Sequence, residues 1–198
     1  MKQMQRSLVG LGAVICVMLM GNNVFAEKVY KIDGVHSSIG FAVKHLMIST
    51  ARGEFTDYTG EIQFNAEDLS SFSLDIVIEA KSINTRNEKR DGHLKGEDFF
   101  DVEKYPTLSF KGRQLVKNSD GYDLTGDLTI KDVTKEITIP VTISGPIQRQ
   151  DGEAIGLSGE IVINRQDYGV SWSKTMDKGG LMVADKVKII IDIEANTK

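Results

Sequence analysis

The sequence has one cysteine among its 198 residues. Cys16 lies inside the apolar run Leu8–Met20, behind Lys2 and Arg6 and ahead of Val24-Phe25-Ala26. A positive start, a short apolar run and a small-residue cleavage site make a secretory signal peptide. The run is too short for an ordinary membrane span. A lipoprotein signal needs a small residue just before its cysteine, and Ile15 is not small. Cys16 is therefore expected to leave with residues 1–26, with no lipid anchor formed. The 172 residues left (198 less 26) contain no thiol, so no disulfide can staple them, although export would permit one.

Surplus positive charge is also lacking. The formal charge of −4 falls to −6 once the two leader cations are gone. An acidic domain with scattered Lys and Arg is a poor nucleic-acid binder and a poor candidate for anionic membrane surfaces. Linkers, low-complexity tracts and internal repeats are absent, so residues 27–198 read as one domain with room for a core. Metal-ligand spacing is missing among His36, His45 and His93. His36 and His45 are an odd number apart, which puts them on opposite faces of a continuous strand. Asp91 and His93 could make an acid/base pair, but no nucleophile or oxyanion motif accompanies them. No catalytic residue, metal ligand or cofactor is assigned.

Period-two alternation is what the chain has instead. Ile39, Phe41 and Val43 alternate with small or polar residues, as do Gly60, Ile62 and Phe64, and then Phe72, Leu74, Ile76 and Ile78. Tyr122, Leu124, Leu128 and Ile130 follow, then Ile137 to Ile143, Leu157 to Ile163, and Val187 to Ile193. Turn signals separate them at Asp33-Gly34, Asn118–Gly121 and Asp151-Gly152. One apolar face per strand, with mostly short connections, predicts an all-β antiparallel meander that closes as a barrel or stacks as a sandwich. Pro140 inside a strong run predicts an edge, a bulge or a strand start. Full charges on the polar faces, the lack of paired aromatic girdles and a polar C-terminus argue against integral insertion in a membrane.

The stretch Thr85–Pro106 breaks the alternation. Thr85 and Glu88 have the spacing of a capping box, which predicts a helix start. At helical spacing Arg86, Arg90 and His93 share one face, and Leu94 is the only sizeable apolar residue before Gly96. So polar a helix must be held by something other than core packing. One reading pairs the arginines with Asp91, Glu97, Asp98 or Asp101 and pins the insertion to the barrel. The other directs a guanidinium at a phosphate or carboxylate headgroup.

Several segments resemble landmarks of the YceI-like family, in the family's order. They are His36-Ser-Ser-Ile-Gly-Phe-Ala-Val-Lys-His45-Leu46, Arg52-Gly53-Glu54-Phe55 with Gly60, Thr85-Arg86, and Arg90-Asp91-Gly92-His93-Leu94. Phe99-Phe100-Asp101, Tyr105-Pro106, Phe110 and Arg165-Gln-Asp167-Tyr168-Gly169 complete the set. The resemblance implies a periplasmic or secreted lipocalin-like antiparallel β-barrel with a short helical insertion. It also implies binding of long amphiphilic lipids, such as polyisoprenoids or fatty-acid derivatives, in an apolar tunnel. It supplies no catalytic residues, and it leaves room for a homodimer.

Residue by residue, the expected tunnel wall comprises Ile39, Phe41 and Val43, then Phe64 and Ile76, then Leu128, Ile161 and Ile189, all inward by alternation. The aromatics Phe99, Phe100, Tyr105 and Phe110 after the insertion either plug the barrel or join that wall, and Trp172 is expected to line it too. His45, on the face of Ile39, Phe41 and Val43, marks a mouth, with Arg86, Arg90 and His93 as headgroup candidates. The glycine-flanked segment Gly169–Gly180, carrying Trp172, Lys174, Met176 and Lys178, reads as a mouth loop or as a surface loop. Three functions compete: a periplasmic carrier of a long-chain isoprenoid or fatty-acid-like lipid, an enzyme acting on such a lipid, and a stress or scaffold protein whose core is filled.

Overall fold

A computed structural model describes residues 28–174 and 182–197. The leader expected at residues 1–26 lies outside them, as do Met176 and Lys178. The strands are β1 Val29–Ile32, β2 Ser38–His45, β3 Ser49–Phe55, β4 Tyr58–Gln63, β5 Ser73–Glu79 and β6 Ile83–Asn84. After the helix α1 Glu88–Lys95 come β7 Thr107–Lys117, β8 Tyr122–Ile130, β9 Val133–Arg149, β10 Gly152–Asn164 and β11 Val183–Asn196. Every pairing is antiparallel.

The segments form eight staves of a closed barrel. The β11 strand pairs β10 along one edge and, along the other, β2 and then β1. In the same way β3 and β4 run as one stave, pairing β2 and β1 respectively. The segments β5 and β6 make the next, against β4 and β3. From β5 the sheet runs through β7, β8 and β9 to β10. Closure pairs most strand edges among the described residues, as a barrel of an all-β chain requires. The predicted barrel is thus the observed fold.

One-sided strands put their apolar rows inside. Leu74, Ile76 and Ile78 of β5 are buried, as are Leu124, Leu128 and Ile130 of β8. Their neighbours Asp75 and Val77, and in part Asp123 and Asp127, face outward. The β7 strand carries Leu108 and Phe110 inward, with Gly112 next in the row. A bulge between Gly112 and Gln114 then shifts its register, which hides the strand from a count of alternation.

Two inward glycines make room for aromatics. A side chain on Gly53 would stand 2.5 Å from the Phe41 ring and 2.7 Å from Thr85 Cγ2. One on Gly126 would meet the Lys111 carbonyl and lie 2.7 Å from the Phe110 ring. Both rings therefore lie flat along the wall instead of crossing the barrel.

Pro140 sits within β9, opposite Asp123 of β8. The Val141 carbonyl lies against Gly121 on the β8 side, so the neighbouring Pro140 points its main chain toward β10. Its oxygen is 2.7 Å from where a Gly159 side chain would begin. The β9–β10 ladder ends at Val141 and Gly159, the step before a donor from residue 140 would be needed. Pro140 thus marks a local edge, as expected from the sequence. Beyond it, Val133–Ile139 pair only with β8, and Glu160–Asn164 only with β11. A seam separates the two strands over this length.

At the opposite end of the barrel Glu153 ties several elements together. It accepts from Lys28 Nζ at 2.7 Å, from buried Tyr30 Oη at 3.1 Å and from Gln148 Nε2. These bonds, that of Lys28 first, hold its carboxyl below the ordinary 4.5, while burial and Glu153 push Tyr30 up to about 12. A carboxylate with a lowered folded pKa stabilises the fold above the unfolded value, and loses that effect as pH falls through the folded one. The Glu153→Gln variant should therefore show a lower urea midpoint than wild type at pH 7. The two midpoints should converge as pH drops below 4.5. A constant gap down to acid pH would assign the difference to packing.

Candidate functional site: an apolar barrel cavity with a polar mouth

Inside the barrel lies a cavity of about 480 Å³. Its wall takes Ile39, Phe41 and Val43 from β2, Ile76 from β5, Phe110 from β7, Leu128 from β8, Ile161 from β10 and Ile189 from β11. Leu74, Leu124, Leu157 and Ile193, all nearly inaccessible, form its floor. Polar lining is confined to the other end, where His45, Ser49, Thr50, Thr85, Arg90, His93 and Arg165 gather. The barrel is therefore hollow, with an apolar shaft and a polar rim.

Phe64 departs from the expected wall. It is buried but does not line the cavity. The β4 strand ends at Gln63, and the Phe64 amide turns to the Lys28 carbonyl at 3.2 Å, so its ring packs at the closed end. Phe99, Phe100 and Trp172 do line the cavity. Phe99 and Trp172 rings lie 5.4 Å apart, and His93 meets both edge-on at 5.0 and 5.3 Å. Phe100 stands edge-on to Phe55 at 5.8 Å, and Phe55 leans on Phe41 at 6.1 Å. The helical insertion and the start of the Gly169 loop thus meet over the mouth through aromatic contacts.

The helix is held as its polarity requires, but not by a capping box. Arg86 takes a left-handed φ of 60° and donates its amide to Asn84 Oδ1 at 2.8 Å. That turn delays the helix, so Asn87 is the N-cap and accepts from the Arg90 amide at 2.9 Å. Arg86 consequently lies outside the helix, exposed and away from the cavity, and shares no face with Arg90 and His93. Thr85, buried, becomes the hub. Its amide donates to Asp91 Oδ1 at 2.9 Å, and its hydroxyl donates to the same oxygen. Arg90 Nε donates to Thr85 Oγ1 and Arg90 Nη2 to the Thr85 carbonyl, both at 2.7 Å. The predicted pinning of the insertion is present, carried by a threonine instead of by direct Arg–carboxylate pairs.

These bonds also separate Asp91 from His93. Asp91 serves Thr85, while His93 Nε2 lies 2.9 Å from Asp98 Oδ2. Among the described residues the cluster that could hold a cation is Asp33, His36 and Glu194, with ligand atoms within 4.8 Å of one another. Its members are already engaged. His36 Nδ1 is 2.9 Å from Asp33, and Arg149 Nη1 is 2.7 Å from Glu194. The His36 pairing holds Asp33 below its ordinary range and raises His36.

Arg165 is the mouth residue that sequence reasoning did not single out as part of a site. It is buried, donating Nη1 to the Val170 carbonyl at 2.6 Å, Nε to the Ala184 carbonyl at 3.1 Å and Nη2 to Asp185 at 3.1 Å. Burial lowers its pKa, with Asp185 opposing. Its bonds tie the Gly169 loop to the irregular start of β11.

A sequence model of the YceI-like domain matches residues 30–195. The chain belongs to the YceI-like family. A UPF0312 protein of Staphylococcus aureus is 35% identical over 162 residues, spanning 80% of this chain and 92% of that relative. The YceI protein of Campylobacter jejuni superposes with a TM-score of 0.67 at 35% identity, covering 78% of this chain and 90% of that one. BcnA of Burkholderia cenocepacia shares the fold with a TM-score of 0.73 at 23% identity, covering 83% and 99%. A polyisoprenoid-binding domain from Saccharophagus degradans shares it with a TM-score of 0.63 at 15% identity, covering 87% and 100%.

Within this YceI-like barrel, Thr85 is the test of how the insertion is held. Thr85→Val keeps the shape but removes the hydroxyl that bonds Asp91 and receives Arg90. Stability should fall by about 1.5–3 kcal/mol, the range for hydrogen bonds to charged groups. Hydrogen exchange in Glu88–Lys95 should quicken more than exchange in β8. Uniform quickening would place the loss in the barrel and not at the insertion.

Proposed function

We propose that the protein binds a long-chain amphiphilic lipid, isoprenoid or fatty-acid-like, with the chain in the barrel and the headgroup at the mouth. One observation carries this reading: a hollow apolar shaft of about 480 Å³ whose polar lining is confined to one end. That volume falls in the range of small-molecule sites, and the division of polarity matches an amphiphile. Burying ten methylenes is worth about 8 kcal/mol gross. Lost motion of the ligand opposes several kcal/mol of that, leaving room for micromolar or tighter binding.

The headgroup would meet His45, Arg90 and His93. Arg90 spends Nε and Nη2 on Thr85, which orients the guanidinium and leaves Nη1 toward an incoming acceptor. The expected leader supports export, and a periplasmic carrier role combines these features. The polyisoprenoid-binding neighbour supports the same class of ligand. The enzyme reading loses support from the separation of Asp91 and His93, and the filled-core reading from the cavity itself.

The test is native mass spectrometry of gently purified protein, followed by titration with matched fatty acid and fatty alcohol of equal chain length. A retained species of lipid mass and a raised melting temperature at saturation are expected. His93→Ala should weaken the anionic ligand by roughly 1–3 kcal/mol and the alcohol much less. Absence of binding and of any thermal shift with either ligand would remove the carrier reading. Equal losses for both ligands would remove only the headgroup assignment.

A further inference from the structure

The turn between β2 and β3 carries an exposed apolar pair. Ile48 is 84% exposed and Met47 60% exposed. The pair sits between His45 and Ser49, both of which line the cavity mouth. The turn is held out by its own bonds. The Ile48 amide donates to the His45 carbonyl at 3.2 Å, and Ser49 Oγ donates to the same oxygen at 3.3 Å. The Leu46 amide donates to the Met182 carbonyl at 2.8 Å, and the Met182 amide to the Lys174 carbonyl at 2.9 Å. Leu46 and Met47 occupy the left-handed region, with φ of 50° and 60°, which side chains other than glycine rarely adopt. An uncommon backbone thus coincides with two large apolar side chains facing water.

Cations surround this tip. Lys44, two residues from Leu46, points to the outer face of β2 and stands opposite Thr50. Arg52 is next along the outer face of β3, opposite Ala42. Lys186 lies within the β11 irregularity, between Val183, which pairs His45, and Val187. All three are exposed, and none has a carboxylate partner among the described residues. Of the neighbouring outer-face cations, Lys188 is neutralised, by Glu160 at 2.6 Å. The net charge of the chain is negative, and the carboxylates at the mouth, Asp98 and Asp185, are paired with His93 and Arg165, which leaves Lys44, Arg52 and Lys186 beside the tip as cations unpaired among the described residues.

We propose that Met47 and Ile48 are a docking prong for an anionic bilayer surface, which brings the cavity mouth to the lipid interface. Apolar side chains enter the acyl boundary while adjacent lysine and arginine meet lipid phosphates. The proposal departs from the expectation, drawn from net charge, that anionic membranes are poor partners. It requires no strand to cross the bilayer. It stands on the tip and its cations, and holds whether or not a lipid occupies the barrel.

The experiment is flotation of the whole protein with vesicles of phosphatidylcholine, with and without 30 mol% phosphatidylglycerol (a composition of about this anionic content suffices). Wild type should float with the anionic vesicles, and less so in 0.5 M salt, by about tenfold or more. Met47→Ser with Ile48→Ser should reduce partitioning by roughly tenfold at an unchanged melting temperature, since both side chains already face water. Ile48→Leu should retain it. Wild type and variants are purified alike after export, with the expected leader removed, so the difference between them reads the tip alone. Equal flotation of wild type and the serine pair overturns the proposal. So does binding to native membranes but not to protein-free vesicles, which would assign the prong to a protein partner. Loss of vesicle binding with intact fatty-acid binding sustains the prong; the converse removes it and leaves the cavity reading untouched.

Discussion

Everything in this structure depends on β11 finding partners on both edges. Its fourteen residues pair β10 on one side and β2 with β1 on the other, which turns a twisted sheet into a tube. Once the tube is closed, each inward row faces other inward rows across it. The apolar faces are then withdrawn from water even where they do not touch across the centre. The floor is solid because β1, β4 and β5 bring Tyr30, Ile62 and Leu74 into close packing. The upper part is hollow because Gly53 and Gly126 let the aromatic rings lie back against the wall.

The helical insertion solves a different problem. The helix has no fully buried residue, and Leu94, partly buried, is its one apolar side chain packed against the core, so packing alone holds it weakly. Thr85 adds a compact set of hydrogen bonds, in which one buried hydroxyl both donates to Asp91 and accepts from Arg90. The strand β6 supplies the fixed end of that arrangement through its pairing with β3. Phe99 and Phe100 then return the chain to the barrel and complete the aromatic cover.

Much of the fold was legible in the sequence because alternation records burial directly. The rows in β2, β5, β8 and β11 each repeat every second residue, and each lies inside as read. The β7 strand escaped the same reading because Gly112 and a bulge interrupt its row, so Leu115 falls out of phase with Phe110. Phe64 misled because alternation does not say where a strand ends. Arg86 misled because helical spacing assumes helical φ from the first residue, and a left-handed turn intervenes. The hub role of Thr85 left only its spacing to Glu88 as a trace, and that trace pointed to a cap. Arg165 left none beyond its place in a family landmark, since burial of a cation beside three carbonyls is a tertiary fact.

The seam beside Pro140 gives the wall a line along which, among the described residues, β9 and β10 share no ladder pairs. Widening the tube along the β10–β11 or β7–β8 ladders must break ladder hydrogen bonds. Between Val133–Ile139 and Glu160–Asn164 there are no ladder bonds to break. Parting that line would widen the upper barrel without breaking a β9–β10 ladder bond, while the closed end keeps its dimensions.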